Sequence, residues 1–307
     1  MLVTNFLMAI PPLLNSGDLV SVLSPASHTN SNAWENGIAL LEKWGLRVVR
    51  GEHYLSQHFG FGGTDAERLS DLQKALDNPE VKAIFPIRGG YGSSRLLDDL
   101  DFSQFIQNPK WIVGFSDITA LLLHIDSLGV AGIHGPMPNN FCQKGGEFSL
   151  EALNGLLFNG CANYTCKPHP ANILGEVEGE LIGGNLSLLT HLIGTPSFIK
   201  PHGKILVIEE IGERLYHVDR MLVQLKRSGY FEGLVGMIIG GFTDCNEAPL
   251  TIGKSAQELI LEHTKDYQFP IAFEFPLGHV PANHPVVFGV KANLLISSEK
   301  VQLTVQL

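Results

Sequence analysis

Through the first half of the chain, short apolar runs alternate with stretches in which apolar side chains recur every three or four residues, the spacing of one helix face. Leu19 to Ser24, Arg47 to Arg50, Val81 to Ile87 and Trp111 to Phe115 read as strands; Trp34 to Trp44, Asp65 to Leu76 and Ile118 to Leu128 read as helices. Strands that alternate with helices predict a parallel sheet covered by helices. Thr64-Asp65-Ala66-Glu67 forms a capping box, in which Thr64 and Glu67 each satisfy an otherwise orphan amide. Gly45 suits the end of the preceding helix, where a positive φ is often needed. From Phe141 to Ile173 the periodicity weakens, Gly, Asn, Pro and Cys accumulate, and only Leu150 to Leu157 reads as helical. The second half then offers strands at Glu176 to Gly184, Lys204 to Glu210, Val235 to Phe242, Pro270 to Phe275, Val287 to Ile296 and Val301 to Leu307. Helices are expected at Asn185 to Ile193 and Ser255 to Thr264, and Val218, Met221, Leu222 and Leu225 make one apolar helix face. The pattern divides the chain into a domain over 1–145, a linker over 146–175 and a more strand-rich α/β domain over 176–307.

A length of 307 residues supports two such domains, and 44% hydrophobic with 17% charged residues is ordinary globular composition. The net charge of -10 disfavours nucleic acid as a partner, because phosphate binding rests on Lys and Arg. The apolar start, Met1 to Leu14, has no basic flank and runs into Pro11-Pro12, which makes it a poor signal peptide. No stretch reaches the roughly 20 apolar residues of a membrane span, so a soluble protein without a membrane partner is expected. Cys142, Cys161, Cys166 and Cys245 lack metal or disulfide-scaffold spacing, which fits reduced thiols in a cytoplasm.

Three constellations could carry chemistry. Gly114-Phe115-Ser116-Asp117 lies where a strand gives way to a helix. A sharp turn there lifts a serine Oγ out of the sheet edge and aims backbone amides at the same point. The fuller Gly-x-Ser-x-Gly pattern is absent, since Ile118 holds the last position, and Ser116 or Asp117 could instead cap the helix. A nucleophilic serine needs a base and a group to orient it. Phe275-Pro276-Leu277-Gly278-His279 places a histidine in a loop past a strand, with His284 a competitor; Leu206 to Glu210 ends a strand on two carboxylates. Those acids could equally be solvated strand-end residues, with Glu213 pairing Arg214 or Arg220 on the surface. Arg88-Gly89-Gly90-Tyr91-Gly92 follows a strand and permits close backbone approach to a ligand, or is simply a tight turn. It matches no nucleotide-phosphate loop, so an oxyanion or carboxylate is the better ligand.

Taken in order, Arg88 to Gly92 with Ser94-Arg95-Leu96-Leu97, Gly114 to Asp117, His134-Gly135-Pro136-Met137 and Gly183-Gly184-Asn185-Leu186-Ser187 resemble the muramoyltetrapeptide LD-carboxypeptidases, a class of serine peptidases. Ile208-Glu209-Glu210, Tyr216, Asp219-Arg220-Met221-Leu222 and Gly278-His279 continue the resemblance to the C-terminus. It implies a flavodoxin-like or amidotransferase-like N-terminal parallel-sheet domain, a strand-rich C-terminal α/β domain, and a triad assembled between them. Ser116 matches the nucleophile, Glu209 the acid and His279 the base. Glu210 stands where many relatives have Asp, so Glu209 against Glu210 is worth testing. The oxyanion hole falls to the amides of Asp117 and Gly90, with Gly89 as the less favoured donor; Arg88 and Asn185 are expected to bind substrate. Arg88 would pair the substrate carboxylate, or brace the glycine loop by pairing an acid. No metal or cofactor is implied. The expected protein is a cytoplasmic, homodimeric enzyme that removes the terminal D-Ala from murein tetrapeptides or muropeptides in cell-wall recycling. The alternatives are the family's microcin-immunity branch, which cleaves a peptidyl-nucleotide antibiotic and carries a different Gly-Gly loop, and a non-catalytic muropeptide-binding protein.

Overall fold

The computed structural model describes residues 8–249 and 251–307, so the beginning of the apolar N-terminal run, Met1 to Leu7, lies outside the described residues. The first half supplies β1 (Leu19–Leu23), α1 (Ala33–Lys43), β2 (Arg47–Arg50), α2 (Asp65–Asp77), β3 (Val81–Pro86), α3 (Ser103–Gln107), β4 (Trp111–Gly114), α4 (Thr119–Ser127) and β5 (Gly132–His134). These strands pair in parallel in the order β2-β1-β3-β4-β5, which is the flavodoxin-like doubly wound order. The capping box at the start of α2 is formed on both sides.

The second half carries α5 (Glu147–Asn159), β6 (Cys161–Cys166), β7 (Gly175–Asn185), α6 (Leu186–His191), β8 (Lys204–Ile211), α7 (Leu215–Arg227), β9 (Gly236–Thr243), α8 (Ala256–Thr264), β10 (Ile271–Ala272), β11 (Val286–Phe288), β12 (Lys291–Ile296) and β13 (Val301–Gln306). Strands β7, β8, β9 and β10 run parallel. The short β11 joins the two halves into one sheet, antiparallel to β5 and parallel to β7. The long β7 also pairs β12 along its first residues, and β13 and β6 extend that ribbon.

Three expectations differ from what forms. Residues 146–175, read as a linker, contain a 13-residue helix and a strand whose alternate residues are buried against the second half. That strand pattern, Cys161 to Cys166, is hidden in sequence by its polar outward face. Val287 to Ile296 is two strands, because Gly289, at φ +80, turns the chain from β5 to β12's place beside β7. Of Pro270 to Phe275 only Ile271–Ala272 pairs as strand, because Glu274 adopts a positive φ of 53° and turns the chain into the loop that carries His279.

Helix α4 is buried almost all round, with Leu121, Leu122 and Ile125 fully enclosed. A helix apolar on every side belongs in an interior. It lies between the first-half sheet and α6 with β7, so the turn that opens it faces the seam between the halves.

Candidate active site

Ser116 sits at φ +62, a left-handed conformation that costs a non-glycine residue on the order of 1 to 3 kcal/mol. Strand β4 ends at Gly114, Phe115 stays extended, and Ser116 opens a 3₁₀ turn to Ile118 that runs on into α4. Strand, strained serine and helix in direct succession make the elbow that the sequence suggests. Ser116 is half-buried, so its hydroxyl is both held and reachable.

The groups around it come from the other half. His279 Nε2 lies 3.1 Å from Ser116 Oγ, and its Nδ1 lies 2.7 Å from Glu209 Oε2. With Nδ1 protonated and donating to the carboxylate, Nε2 is left as an acceptor for the serine proton. Glu209 Oε2 also accepts the His279 backbone N–H at 3.3 Å. The His279 loop is stitched down on three sides. Gly241 N–H donates to Leu277 O at 2.9 Å, Gly278 N–H to Asn283 Oδ1 at 2.8 Å, and Thr243 Oγ1 to His279 O at 2.9 Å. The imidazole also lies against the Phe115 ring, 4.9 Å between centroids.

The two adjacent carboxylates have different work. Glu210 points away from His279 and accepts from Asn185 Nδ2 (2.9 Å), Ser187 N (2.8 Å), Ser187 Oγ (2.7 Å) and Ile211 N (2.9 Å). Burial nevertheless pushes its carboxyl above the usual range. It thus ties β8 to the start of α6, where Asn185 is also the N-cap. Asn185, expected to meet substrate, is buried with its amide committed to Glu210 and to Leu188 N–H.

The glycine loop closes the third side. Ser93 N–H donates to Asp117 Oδ2 at 2.8 Å and Ser93 Oγ to Asp117 O at 2.7 Å, which locks the loop to the serine turn. A Cβ on Gly89 would stand 3.0 Å from Ser116 Cβ, 3.2 Å from Ser116 Oγ and 3.3 Å from Asp117 N, so that space is kept open beside both the hydroxyl and an amide. Among the described residues no backbone carbonyl accepts the Gly90 N–H. Arg88 donates to His28 O at 3.3 Å; the arginine–carboxylate pairs among the described residues are those of Arg68 and Arg95 with Asp65. Arg88 therefore braces the loop through no acid and keeps donors to spare.

His284, His134 and His217 are engaged elsewhere. His284 stacks on Tyr164 at 4.7 Å and bonds Ser149 Oγ at 3.0 Å, and burial holds it down to about 4. His134 is fully buried between the Phe115 and Phe288 rings, and burial likewise holds it down to about 4. His217 bonds Glu213 at 2.7 Å, so the partner of Glu213 is neither Arg214 nor Arg220. Among the described residues no group of three His, Cys, Asp or Glu is placed to hold a metal ion. A cavity of about 190 Å³, lined by Phe115, Pro136, Asn140, Ile211 and His279, opens at the imidazole. A larger one of about 760 Å³ lies across the Val280–Ala282 segment and touches none of the three relay residues. Of the three relay residues, His279 lines the smaller cavity. The roles of Ser93, Thr243, Asn283 and Arg68 escape the sequence reading; Ser93, Thr243 and Arg68 bond partners distant in the chain, and Asn283 bonds Gly278 five residues away.

Residues 20–135 match the LD-carboxypeptidase N-terminal domain and residues 178–294 the LD-carboxypeptidase C-terminal domain. A probable murein peptide carboxypeptidase of Bacillus subtilis is 35% identical over 293 residues, spanning 92% of this chain and 90% of its own. The murein tetrapeptide carboxypeptidase of Pseudomonas aeruginosa is 32% identical over 286 residues, 90% of this chain and 92% of its own. The structure of MccF in complex with glutamyl sulfamoyl guanosine superposes with a TM-score of 0.85 over 98% of both chains; at 24% identity the likeness is one of fold.

Proposed function

The chain belongs to the LD-carboxypeptidase family, and from that premise we propose that it is a serine-type carboxypeptidase that releases the terminal D-Ala of murein tetrapeptides. The observation that carries the reading is the relay Ser116–His279–Glu209, at 3.1 and 2.7 Å, on a strained serine turn. His279 Nε2 takes the Ser116 proton as Oγ attacks the carbonyl carbon of the diamino acid's L-centre. The oxyanion is held by the Gly90 and Asp117 amides, each worth about 3 to 4 kcal/mol in comparable acyl transfers. Collapse breaks the C–N bond, and the leaving D-Ala nitrogen takes the proton from His279. Water, deprotonated by His279 Nε2, then attacks the acyl-enzyme carbonyl, and collapse breaks the ester C–O bond as the imidazolium returns the proton to Ser116 Oγ. Glu209 fixes the tautomer and offsets the imidazolium charge; the free donors of Arg88 suit the terminal carboxylate of D-Ala.

In this reading the halves 1–145 and 176–307 are the units that share the chemistry, one giving the nucleophile and the other the base and acid. All four cysteines are free, which agrees with work in a reducing cytoplasm. Dimerisation is an expectation of the family resemblance and plays no part in these steps.

An alkyl fluorophosphonate, which reacts only with an activated serine, tests the reading. Mass mapping should find one adduct, on Ser116, absent from Ser116→Ala and strongly slowed in His279→Ala. Labelling elsewhere, or none, would remove the serine mechanism.

A further inference from the structure

Ser27 lies on the segment after β1, half-buried, and no motif of the serine turn or the glycine loop includes it. It nevertheless holds both peptide planes that flank Gly90. Its backbone N–H donates to Gly89 O at 3.3 Å, and its Oγ accepts the Tyr91 N–H at 3.1 Å. The planar trans peptide makes the first contact consequential, because the Gly89 carbonyl and the Gly90 N–H belong to one unit and point in opposite directions. A carbonyl drawn toward Ser27 sends the Gly90 N–H the other way, away from Ser27, while Gly89 itself lies against Ser116.

The second contact holds the plane beyond Gly90. Gly90 sits at φ +108, a region that glycine enters and leaves freely, so nothing in the residue itself keeps its amide aimed. Ser27 fills the space where a Gly90 side chain would be, with Oγ and Cβ at 2.4 and 2.6 Å from an ideal Cβ position. Ser27 is itself anchored. It bridges Phe61, the neighbouring Ala26 carbonyl accepts Gly62 N–H at 2.9 Å, and Arg68 holds the Pro25 carbonyl.

We propose that Ser27 is a positioning residue for the oxyanion hole, its hydroxyl and amide together locking the glycine loop so that the Gly90 N–H stays directed at the developing oxyanion. The inference rests on the serine-peptidase reading above. It assigns Ser27 no contact with substrate, so its effect belongs to the transition state and not to substrate affinity.

The test compares Ser27→Ala, Ser27→Cys and Ser27→Thr with the parent on murein tetrapeptide, together with the inhibition constant of a peptidyl boronate that becomes tetrahedral on the serine. Ser27→Ala should lower kcat about tenfold or more, short of the roughly 100-fold or greater loss on deleting an oxyanion donor outright. KM should stay within about twofold, boronate affinity should fall in parallel with kcat, and Ser27→Thr, which keeps the hydroxyl, should restore both. Ser27→Cys keeps the bulk but accepts hydrogen bonds poorly; it should follow Ser27→Ala, and carries the test alone if that variant does not fold. An unchanged kcat, or a loss confined to KM, would overturn the inference. Ser116→Ala measured alongside separates the two levels: if it stays active, the reading of the site falls and this inference with it. If it is inactive while Ser27→Ala and Ser27→Cys match the parent, only the role of Ser27 falls.

Discussion

At the scale of single residues the account makes a sharp demand on Gly89. Its backbone is not in the left-handed region, so alanine is conformationally acceptable there, yet the added methyl would stand 3.2 Å from Ser116 Oγ and 3.3 Å from the Asp117 nitrogen, closer than ordinary van der Waals contact. Gly89→Ala should therefore lose most of its turnover while melting within a few degrees of the parent; a variant that keeps full activity would show that the carbonyl oxygen does not bind in that space. The neighbouring acids give a second test. Glu209→Gln should lower kcat steeply, because its one bonded oxygen orients His279. Glu210→Gln should mainly lower the melting temperature, since an amide placed among four donors leaves some unpaired, at about 1 to 3 kcal/mol each. The reverse pattern in kcat would exchange their roles. Ser116, His279 and the Glu209-Glu210 pair are legible in sequence because the serine follows Gly114 where a strand gives way to a helix, the histidine follows Gly278 in a loop, and the acids close a run of apolar strand residues. Which of two adjacent glutamates faces the histidine is not legible, because both end the same strand. Ser27 and Ser93 are silent for another reason: their meaning is a partner more than 20 residues away.

Among the elements, α4 and β8 meet far from the site in a way that pH should expose. Asp126, in the last turn of α4, has both carboxylate oxygens buried without a hydrogen-bond donor, with Lys204, the first residue of β8, at 3.8 Å. Burial raises its carboxyl to about 6, outweighing the attraction of Lys204, while Glu180 adds to the rise. Between the ordinary carboxylate value and about 6 the folded protein holds a proton that the unfolded chain has lost, so this group's contribution to stability falls as pH rises through that window. Above it the cost is on the order of 3 kcal/mol. Asp126→Asn should accordingly raise the melting temperature by several degrees at pH 7.5 and by little at pH 4, measured by scanning calorimetry. A gain equal at both values, or a loss at pH 7.5, would contradict this. The elements themselves were largely legible where the pattern had helical or alternating period and clear punctuation, as with Thr64 before α2. They were not legible where a strand's polar face breaks the signal, as in β6, or where backbone conformation at Gly289 or Glu274 ends a run that still reads as apolar.

For the whole molecule, function depends on two halves meeting along one sheet. In the proposed mechanism the nucleophile comes from the β4–α4 turn, the acid from β8 and the base from the loop before β11, and β11 itself crosses from the second half to pair with β5 in the first. That crossing is a long-range pairing of three residues, and no local pattern in Val286 to Phe288 announces it. In the proposed reading a terminal carboxylate and an acyl centre are read together where the halves meet, which sets the expected bond choice. A pentapeptide moves the carboxylate one residue outward and should be a much poorer substrate, because the donors meant for that charge go unpaired. The most direct test is release of the C-terminal alanine, D-Ala or, from the all-L analogue, L-Ala, followed by chromatography, from a murein tetrapeptide, its all-L analogue and the pentapeptide. The account predicts conversion of tetrapeptide to tripeptide with D-Ala released, abolished by Ser116→Ala, and little or no release from the other two. Equal release from all three, or none from the tetrapeptide, would contradict it.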